Sequence, residues 1–575
     1  MSRVETRKPD PGVVNRICEK TGCGRIVATI LANREIVTET DLDRFFDVSL
    51  RHMSSPFGLK DMDRAVDRLY QAVVQREKIL CFVDYDADGV SCGTVLLEGL
   101  RAFGADVHYY IPNRETEGYG LSAAHIAGMV VPNRYNLVVT ADCGSKSADA
   151  ILAAQQHGID VIVTDHHEIT LEEIPEDVPV VNPKRPDDAS GLDYLAGVGV
   201  AFYLIVSLRA CLRKRGFFND GHTEPNLKAL TEIVAIGTVA DVVPLKGDNR
   251  ILVNTGLDEI RKGTSRPGLA ALLKIAKIDP KTITSIDIAF KIAPRINAAS
   301  RMANADIALQ LLTCADPKEA KELATELDLL NNERKAIVQG ATEDAELYLE
   351  AHPEELNRKT LVLCHRRWPA GIVGIVASRL AEKYSRPVVV IAIHGDRGKG
   401  SARSVPGFDI HAAFSAIADT LDNFGGHDQA GGIAISADKI EAFKLALERY
   451  AAPILQDLPV EPVITVDYEI GFEEINENLM NELERLEPFG AENPEPVFLS
   501  KNVRASGAQV LCGAHRKMFL EQPVSATDRT FSAIHFNIDD PDASLPENFG
   551  QVVFKLGWNH WNNRKVLQVQ LLHAA

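Results

Sequence analysis

Two stretches of this sequence gather carboxylates and imidazoles densely enough to do chemistry. The first is Asp84-Tyr85-Asp86-Ala87-Asp88-Gly89. Three carboxylates at alternate positions repel one another, and a cation relieves that repulsion. The spacing copies the start of an EF-hand loop, but such a loop needs a Glu near its twelfth position. Val95 stands there. A phosphoaspartate chemistry, with Asp84 as nucleophile and Asp86 as acid, leaves the other acidic positions unexplained. The second stretch is Asp165-His166-His167-Glu168. Two isolated carboxylates join them. Asp142 lies in Ala141-Asp142-Cys143-Gly144-Ser145, where on its own it could cap a helix. Asp241 lies in Val239-Ala240-Asp241-Val242-Val243, where an unpaired charge among apolar residues is costly. Carboxylates and imidazoles together suit manganese or magnesium better than a soft metal. Two such ions roughly 3.5–4 Å apart can activate water and stabilise an in-line displacement at phosphorus.

The elements around these residues are those that would bring them together. Ile79-Leu80-Cys81-Phe82-Val83 is a short apolar run that ends in the first acidic stretch. Asn136 to Thr140 and Asp160 to Thr164 repeat the pattern, each running into a carboxylate. Helical patterns over Ser91 to Phe103 and Lys146 to Gly158 separate them. Strands alternating with helices predict a parallel α/β sheet, and such sheets bind ligands beyond the carboxyl ends of their strands. Pro317 to Glu350 reads as one or two long helices. A second, smaller α/β unit follows, with strands near Thr360-Leu361-Val362-Leu363 and Pro387 to Ile391. Within it Gly398 to Ser404 reads as a small-residue loop with basic side chains, suited to a phosphate. After Pro462 the period becomes two. Strands are predicted at Asn502 to Ala505, Phe531 to Phe536, Val552 to Leu556 and Val566 to Leu572, forming a small all-β barrel.

Bulk properties narrow the class. The 575 residues suggest about three or four domains. Hydrophobic residues make up 45%, enough for sizeable cores, yet no apolar run approaches a membrane span. No apolar segment follows Met1-Ser2-Arg3-Val4-Glu5, and the nine cysteines contain no Cys-x-x-Cys pair. These features predict a reducing, cytoplasmic location. Cys81, Cys92 and Cys143 read as packing residues. The net charge of -18 argues against a nonspecific nucleic-acid coat protein, but not against a nuclease with one local basic groove.

The ordered set Asp84-Tyr85-Asp86-Ala87-Asp88-Gly89, Asp142, Asp165-His166-His167 and Asp241 resembles the motifs of the DHH phosphoesterase superfamily. Gly398 to Ser404, Phe424-Gly425-Gly426-His427 and Ala430-Gly431-Gly432 resemble its DHHA1 substrate domain. Arg295-Ile296-Asn297-Ala298-Ala299-Ser300-Arg301 and the Leu486 to Pro496 segment with its β-rich tail are similar to the RecJ exonucleases. One departure is Ser300, where the family usually has Gly. The resemblance implies metal ligation by Asp86, Asp88, Asp142, His166 and Asp241, with Asp142 as the bridge and Asp84 either a ligand or, in the favoured reading, behind the ligands. It implies catalytic roles for Asp142, His166 and His167. It implies that Arg301, Ser401 and Arg403 hold a terminal 5′ phosphate and that His427 lies near the scissile phosphate. The implied organisation is an N-terminal segment (1–75) packed on the catalytic domain, a DHH domain (76–316), a connecting helix (317–352), a DHHA1-type domain (353–455) and an OB-type barrel (460–575). Trp558, Trp561 and His515-Arg516-Lys517 are candidate strand contacts on that barrel. The implied activity is a 5′–3′ exonuclease on single-stranded DNA, using two Mn2+ or Mg2+ ions and releasing mononucleotides in repair and recombination. Implied partners are single-stranded DNA, a single-stranded-DNA-binding protein and a helicase, with no membrane, for a monomer. A DHH enzyme acting on small phosphates or short oligonucleotides, and a binding module with a dead site, are the competing expectations.

Overall fold

The computed structural model describes residues 3–114, 116–456, 463–511, 515–523, 529–536, 538, 546–561 and 564–575; the side chains of 220, 560, 561 and 564 lie outside that description. Contacts divide the chain into two compact units. One comprises residues 2–111, 119–293 and 463–575; the other comprises 112–118 and 294–462.

The first unit is built on a five-stranded, wholly parallel sheet. Its order is Asp106–Tyr110, Lys78–Val83, Leu137–Ala141, Asp160–Thr164, Val180–Val181. Strands covered on both faces read as continuous apolar runs, as Leu137–Ala141 does with every residue buried. The Ala87–Ala102 helix is buried nearly all round by Gly197–Lys214 and Thr231–Ala240, so its apolar residues are not confined to one stripe.

The same unit holds the barrel. Phe498–Leu511 pairs with both His515–Glu521 and Asn548–Trp561, and Thr530–His535 pairs with Arg564–Ala574, which closes five strands on themselves. Three of the four predicted strands run longer than predicted. His515–Glu521 was not anticipated, because the basic His515-Arg516-Lys517 masks the alternation of buried Arg516, Met518 and Leu520 with more exposed neighbours. The N-terminal segment, expected on the catalytic domain, divides. Helices Pro11–Thr21, Arg25–Asn33 and Glu39–Phe46 put Ile17, Ile30, Leu31 and Leu42 into the core that also contains Phe472, Phe498 and Phe554 of the barrel. Met62–Gln75 and the short turn Pro56–Gly58 pack on Gly197–Lys214.

The second unit has a 35-residue helix, Pro317–Ala351, and a sheet ordered Asn423–Gly426, Ala430–Ser436, Arg397–Arg403, Val388–His394, Leu361–His365. Its last two strands are parallel and the others antiparallel. The Gly398 to Ser404 stretch, expected as a loop, is instead the central strand. Its glycines lie against Ile391, Ile433 and Ile435, where a side chain would collide. Low side-chain volume here is a packing requirement of a strand, which sequence reading confuses with a turn.

Ile17 is fully buried in the core shared by helix and barrel. Ile17→Ala is therefore expected to cost on the order of 2–5 kcal/mol and to speed amide exchange in Phe498–Leu511. Unchanged exchange in that strand would separate the helices from the barrel.

Candidate metal centre

The parallel ladder continues one residue past each strand. Asp84 N–H donates to Ala141 O, Asp142 N–H to Thr164 O and Asp165 N–H to Val181 O, at 3.0, 3.0 and 3.2 Å. Three aspartates thus end up abreast at the carboxyl edge of the sheet, which the sequence pattern predicted. Asp86 caps the following helix, accepting from Asp88 N–H and Gly89 N–H at 2.9 and 3.0 Å. Asp88, in its first turn, accepts from Gly197 N–H at 2.8 Å and Val198 N–H at 3.1 Å, at the start of the Gly197–Lys214 helix. That helix end carries partial positive charge. Two glycines make room: a Cβ on Gly197 would strike Asp142 Oδ1, and one on Gly237 would come within 2.6 Å of Asp88 Oδ1. Asp142 itself is left-handed, with φ +63°.

His166 and His167 are adjacent but differ in protonation. His166 Nδ1 lies 3.1 Å from Leu195 O. A carbonyl only accepts, so Nδ1 carries the hydrogen and Nε2 is a bare lone pair. Burial, then the neighbouring His167, pushes His166 down to about 3, so the ring stays neutral. Its Nε2 faces Asp142 Oδ1 at 3.2 Å, Asp241 Oδ2 at 3.4 Å and Asp88 Oδ2 at 3.9 Å. For His167, burial works against the charged form. The hydrogen bond and charge of Asp165, 2.7 Å from Nδ1, outweigh it and hold the ring at about 9. Asp165 also accepts from the backbone N–H of Ser145, His166 and His167. Burial would raise its carboxyl, but the hydrogen bond and charge of His167, with the Ser145 N–H, hold it well below the usual carboxylate range. It is an orienting group, already saturated. Tyr119, which sequence reading missed, donates to Asp142 O at 3.3 Å and lies 3.2 Å from His167 Nδ1. The available signal was a tyrosine between two glycines with positive φ, Gly118 and Gly120.

A lone pair facing three carboxylates is electrostatically untenable without protons or cations. Burial, followed by mutual repulsion, raises the carboxyls of Asp88, Asp142 and Asp241. Asp142 Oδ1 and His166 Nε2 are buried with no hydrogen-bond partner among the described residues. The donor atoms form four groups, each within 4.8 Å: Asp142, His166 and His167; Asp88, His166 and Asp241; Asp84, Asp86 and Asp142; Asp88, Cys92 and Asp142. Two hard divalent cations fit this donor set. Asp142 recurs in three groups, and Asp84 offers an oxygen in one, with Asp86 and Asp142.

In the second unit, Arg403 Nη1 donates to Ser401 Oγ at 3.2 Å and Ala402 O at 2.7 Å. Arg301 Nη1 donates to Gly371 O at 2.9 Å. The Gly371-Ile372-Val373-Gly374 segment joins the two: its glycines lie against Arg301 and against Ser401 and Arg403, where a Cβ would be crowded. Sequence reading did not single out that segment, nor Arg114. Burial, then the charge of Arg114, lowers Arg403. Arginines gathered in this way suit an anion. His427 occupies the turn after Asn423–Gly426, its N–H donating to Ala430 O at 2.8 Å. On the barrel, Trp558 is half-buried against the core with Lys565 Nζ 4.3 Å from its ring, and Arg516 is buried. The side chain of Trp561 lies outside the described residues. Phe519 and Phe536 are the exposed barrel aromatics among the described residues.

A model of the DHH family, N-terminal domain, matches residues 78–238; the DHHA1 domain matches 357–452 and the RecJ OB domain 466–573. The chain is 35% identical to the single-stranded-DNA-specific exonuclease RecJ of Bacillus subtilis, over 100% of this chain and 71% of that protein. It is 34% identical to the Escherichia coli protein of the same description, over 95% and 94% of the two chains. The crystal structure of RecJ in complex with Mn2+ from Thermus thermophilus superposes with a TM-score of 0.82 at 30% identity, covering 100% of this chain and 79% of that one. A Mg2+ complex of the same protein superposes with a TM-score of 0.75.

The raised carboxyls have a measurable consequence. Asp88, Asp142 and Asp241 retain protons to higher pH than ordinary carboxyls, so a cation entering the metal-free centre must displace them. Apparent manganese affinity should rise with pH and the protons released per ion should fall, as seen by calorimetry in buffers of different ionisation enthalpy. Proton release that grows with pH would contradict this.

Proposed function

The chain belongs to the RecJ family of single-stranded-DNA-specific exonucleases, and we propose that it degrades single-stranded DNA from the 5′ end, releasing mononucleotides, with its metal centre as the hydrolytic site. The observation that carries this reading is the bare His166 Nε2 facing Asp142, Asp241 and Asp88. That arrangement needs protons or cations among its carboxylates, and Mn2+ or Mg2+ are the cofactors. Asp86, Asp88, Asp142, His166 and Asp241 would hold the two ions, and Asp142 recurs in three of the four donor groups. Bound there, the ions supply charge that makes water nucleophilic near neutral pH and stabilises a phosphoryl group in displacement.

The chain's own groups do the rest. Leu195 O fixes the His166 tautomer, so that its lone pair points at the centre. Asp165, 2.7 Å from His167 Nδ1, orients that ring beside the centre. Asp84 supports the first acidic stretch from the strand end. Arg403, Ser401 and Arg301 are assigned to a terminal 5′ phosphate, with Arg403 bonded to Ser401 and both close to the Gly371 to Gly374 segment that meets Arg301, and His427 is carried over from the same family resemblance. Exposed barrel aromatics offer faces on which bases can stack without regard to sequence. An enzyme confined to single strands needs another protein to expose them. A helicase and a single-stranded-DNA-binding protein are therefore its partners in repair and recombination. No helix among the described residues is long and apolar enough to cross a membrane. The cysteine pattern supports a reducing, cytoplasmic setting.

Two substitutions test the assignment. Asp142→Ala removes an oxygen common to both ions and should lower the rate roughly a thousandfold or more, while binding of a labelled strand persists. Retained turnover in this variant refutes the bridging role. Arg403→Ala should weaken the preference for a 5′-phosphorylated over a 5′-hydroxyl end by about 10- to 100-fold. Unchanged end discrimination in steady-state digestion rejects the phosphate site.

A further inference from the structure

Cys92 stands one turn beyond Asp88 on the Ala87–Ala102 helix, and residues four apart share a helix face. Its side chain is wholly buried, and the sequence reads it as packing. In the fold, Cys92 Sγ, a carboxylate oxygen of Asp88 and one of Asp142 lie within 4.8 Å of one another. A thiol buried for shape alone faces apolar atoms. This one faces two carboxylates carried by different elements. Asp142 Oδ1 is buried with no hydrogen-bond partner among the described residues, an acceptor that a cation would satisfy.

The other three groups of the centre contain only oxygen and imidazole nitrogen. This group adds sulfur. Hard ions such as manganese and magnesium gain little from sulfur, whereas zinc-class ions bind thiolate and carboxylate together at about 2.0–2.3 Å.

We propose that Asp88, Cys92 and Asp142 form a thiophilic face of the centre, which takes a zinc-class divalent cation in competition with the hard ions. The proposal rests on reading this centre as the hydrolytic metal site. On binding, the Cys92 S–H bond is exchanged for a sulfur–metal bond and the proton passes to solvent, with no change in oxidation state. Asp88 and Asp142 belong to both donor sets, so an ion on the sulfur side occupies oxygens that the hard ions need. Zinc or cadmium therefore inhibits the nuclease instead of supporting it.

Cobalt(II) added to the metal-free, full-length chain reads the sulfur directly through its near-ultraviolet thiolate-to-metal charge-transfer band. The band is expected in the unaltered protein and in Cys81→Ser, whose thiol belongs to none of the four groups. It should vanish in both Cys92→Ser and Cys92→Ala. The cadmium-over-manganese affinity ratio should fall on the order of tenfold or more in Cys92→Ser. Stoichiometric cobalt without the band, or a band that survives both Cys92 variants, overturns the thiophilic face alone. A chain that binds neither cobalt nor manganese overturns the reading of the centre, and this proposal with it.

Discussion

Repulsion among buried carboxylates is the constraint around which the rest of the structure is arranged. Asp84, Asp86, Asp88, Asp142 and Asp241 converge from two strand ends and two helix ends into a region where charge is poorly solvated. Helix starts relieve part of that cost: Asp86 takes two backbone N–H groups and Asp88 two more from a second helix. The remainder falls to cations. The parallel sheet sets three aspartates side by side because each strand donates one further backbone hydrogen bond to its neighbour before turning away. Small residues at Gly197 and Gly237 let the helices come close enough to seal the site.

Within that field, two neighbouring imidazoles are driven to opposite states by their second nitrogen's partner. A carbonyl, Leu195 O, leaves His166 neutral with its lone pair inward. A carboxylate, Asp165, makes His167 a cation. Asp165 stays ionised because three backbone N–H groups and His167 all donate to it. One strand end thus delivers both a metal donor and a proton-bearing cation from consecutive positions, an economy that depends wholly on what lies behind each ring.

The barrel and the N-terminal helices share a core, and buried Arg250 ties that core to the catalytic fold. Its guanidinium donates to Phe45 O, Leu486 O and Arg485 O and lies 3.8 Å from the Phe45 ring centre. Burial lowers it to about 9. The Leu486 to Pro496 segment, noticed in the sequence as a family mark, gains a physical role: Leu245 N–H, four residues after Asp241, donates to Ala491 O at 2.9 Å.

The sequence by itself determined which residues could do chemistry and which elements would carry them. Apolar runs ending in Asp84, Asp142 and Asp165 showed the parallel sheet, and residue type alone indicated hard cations. These properties are local, set by residue identity and by periods of two and 3.6. Other features needed the tertiary structure: the His166 tautomer, the His167 charge, the place of Cys92 beside Asp142, the joining of Arg301 to Arg403 through Gly371 to Gly374, and the strand made by Arg397–Arg403. Most depend on a partner far away in the chain, and the His167 charge on how the strand end folds Asp165 onto the ring; neither spacing nor composition encodes which surface a side chain will meet. Protonation and ligand competence are properties of an environment, and only folding assembles it.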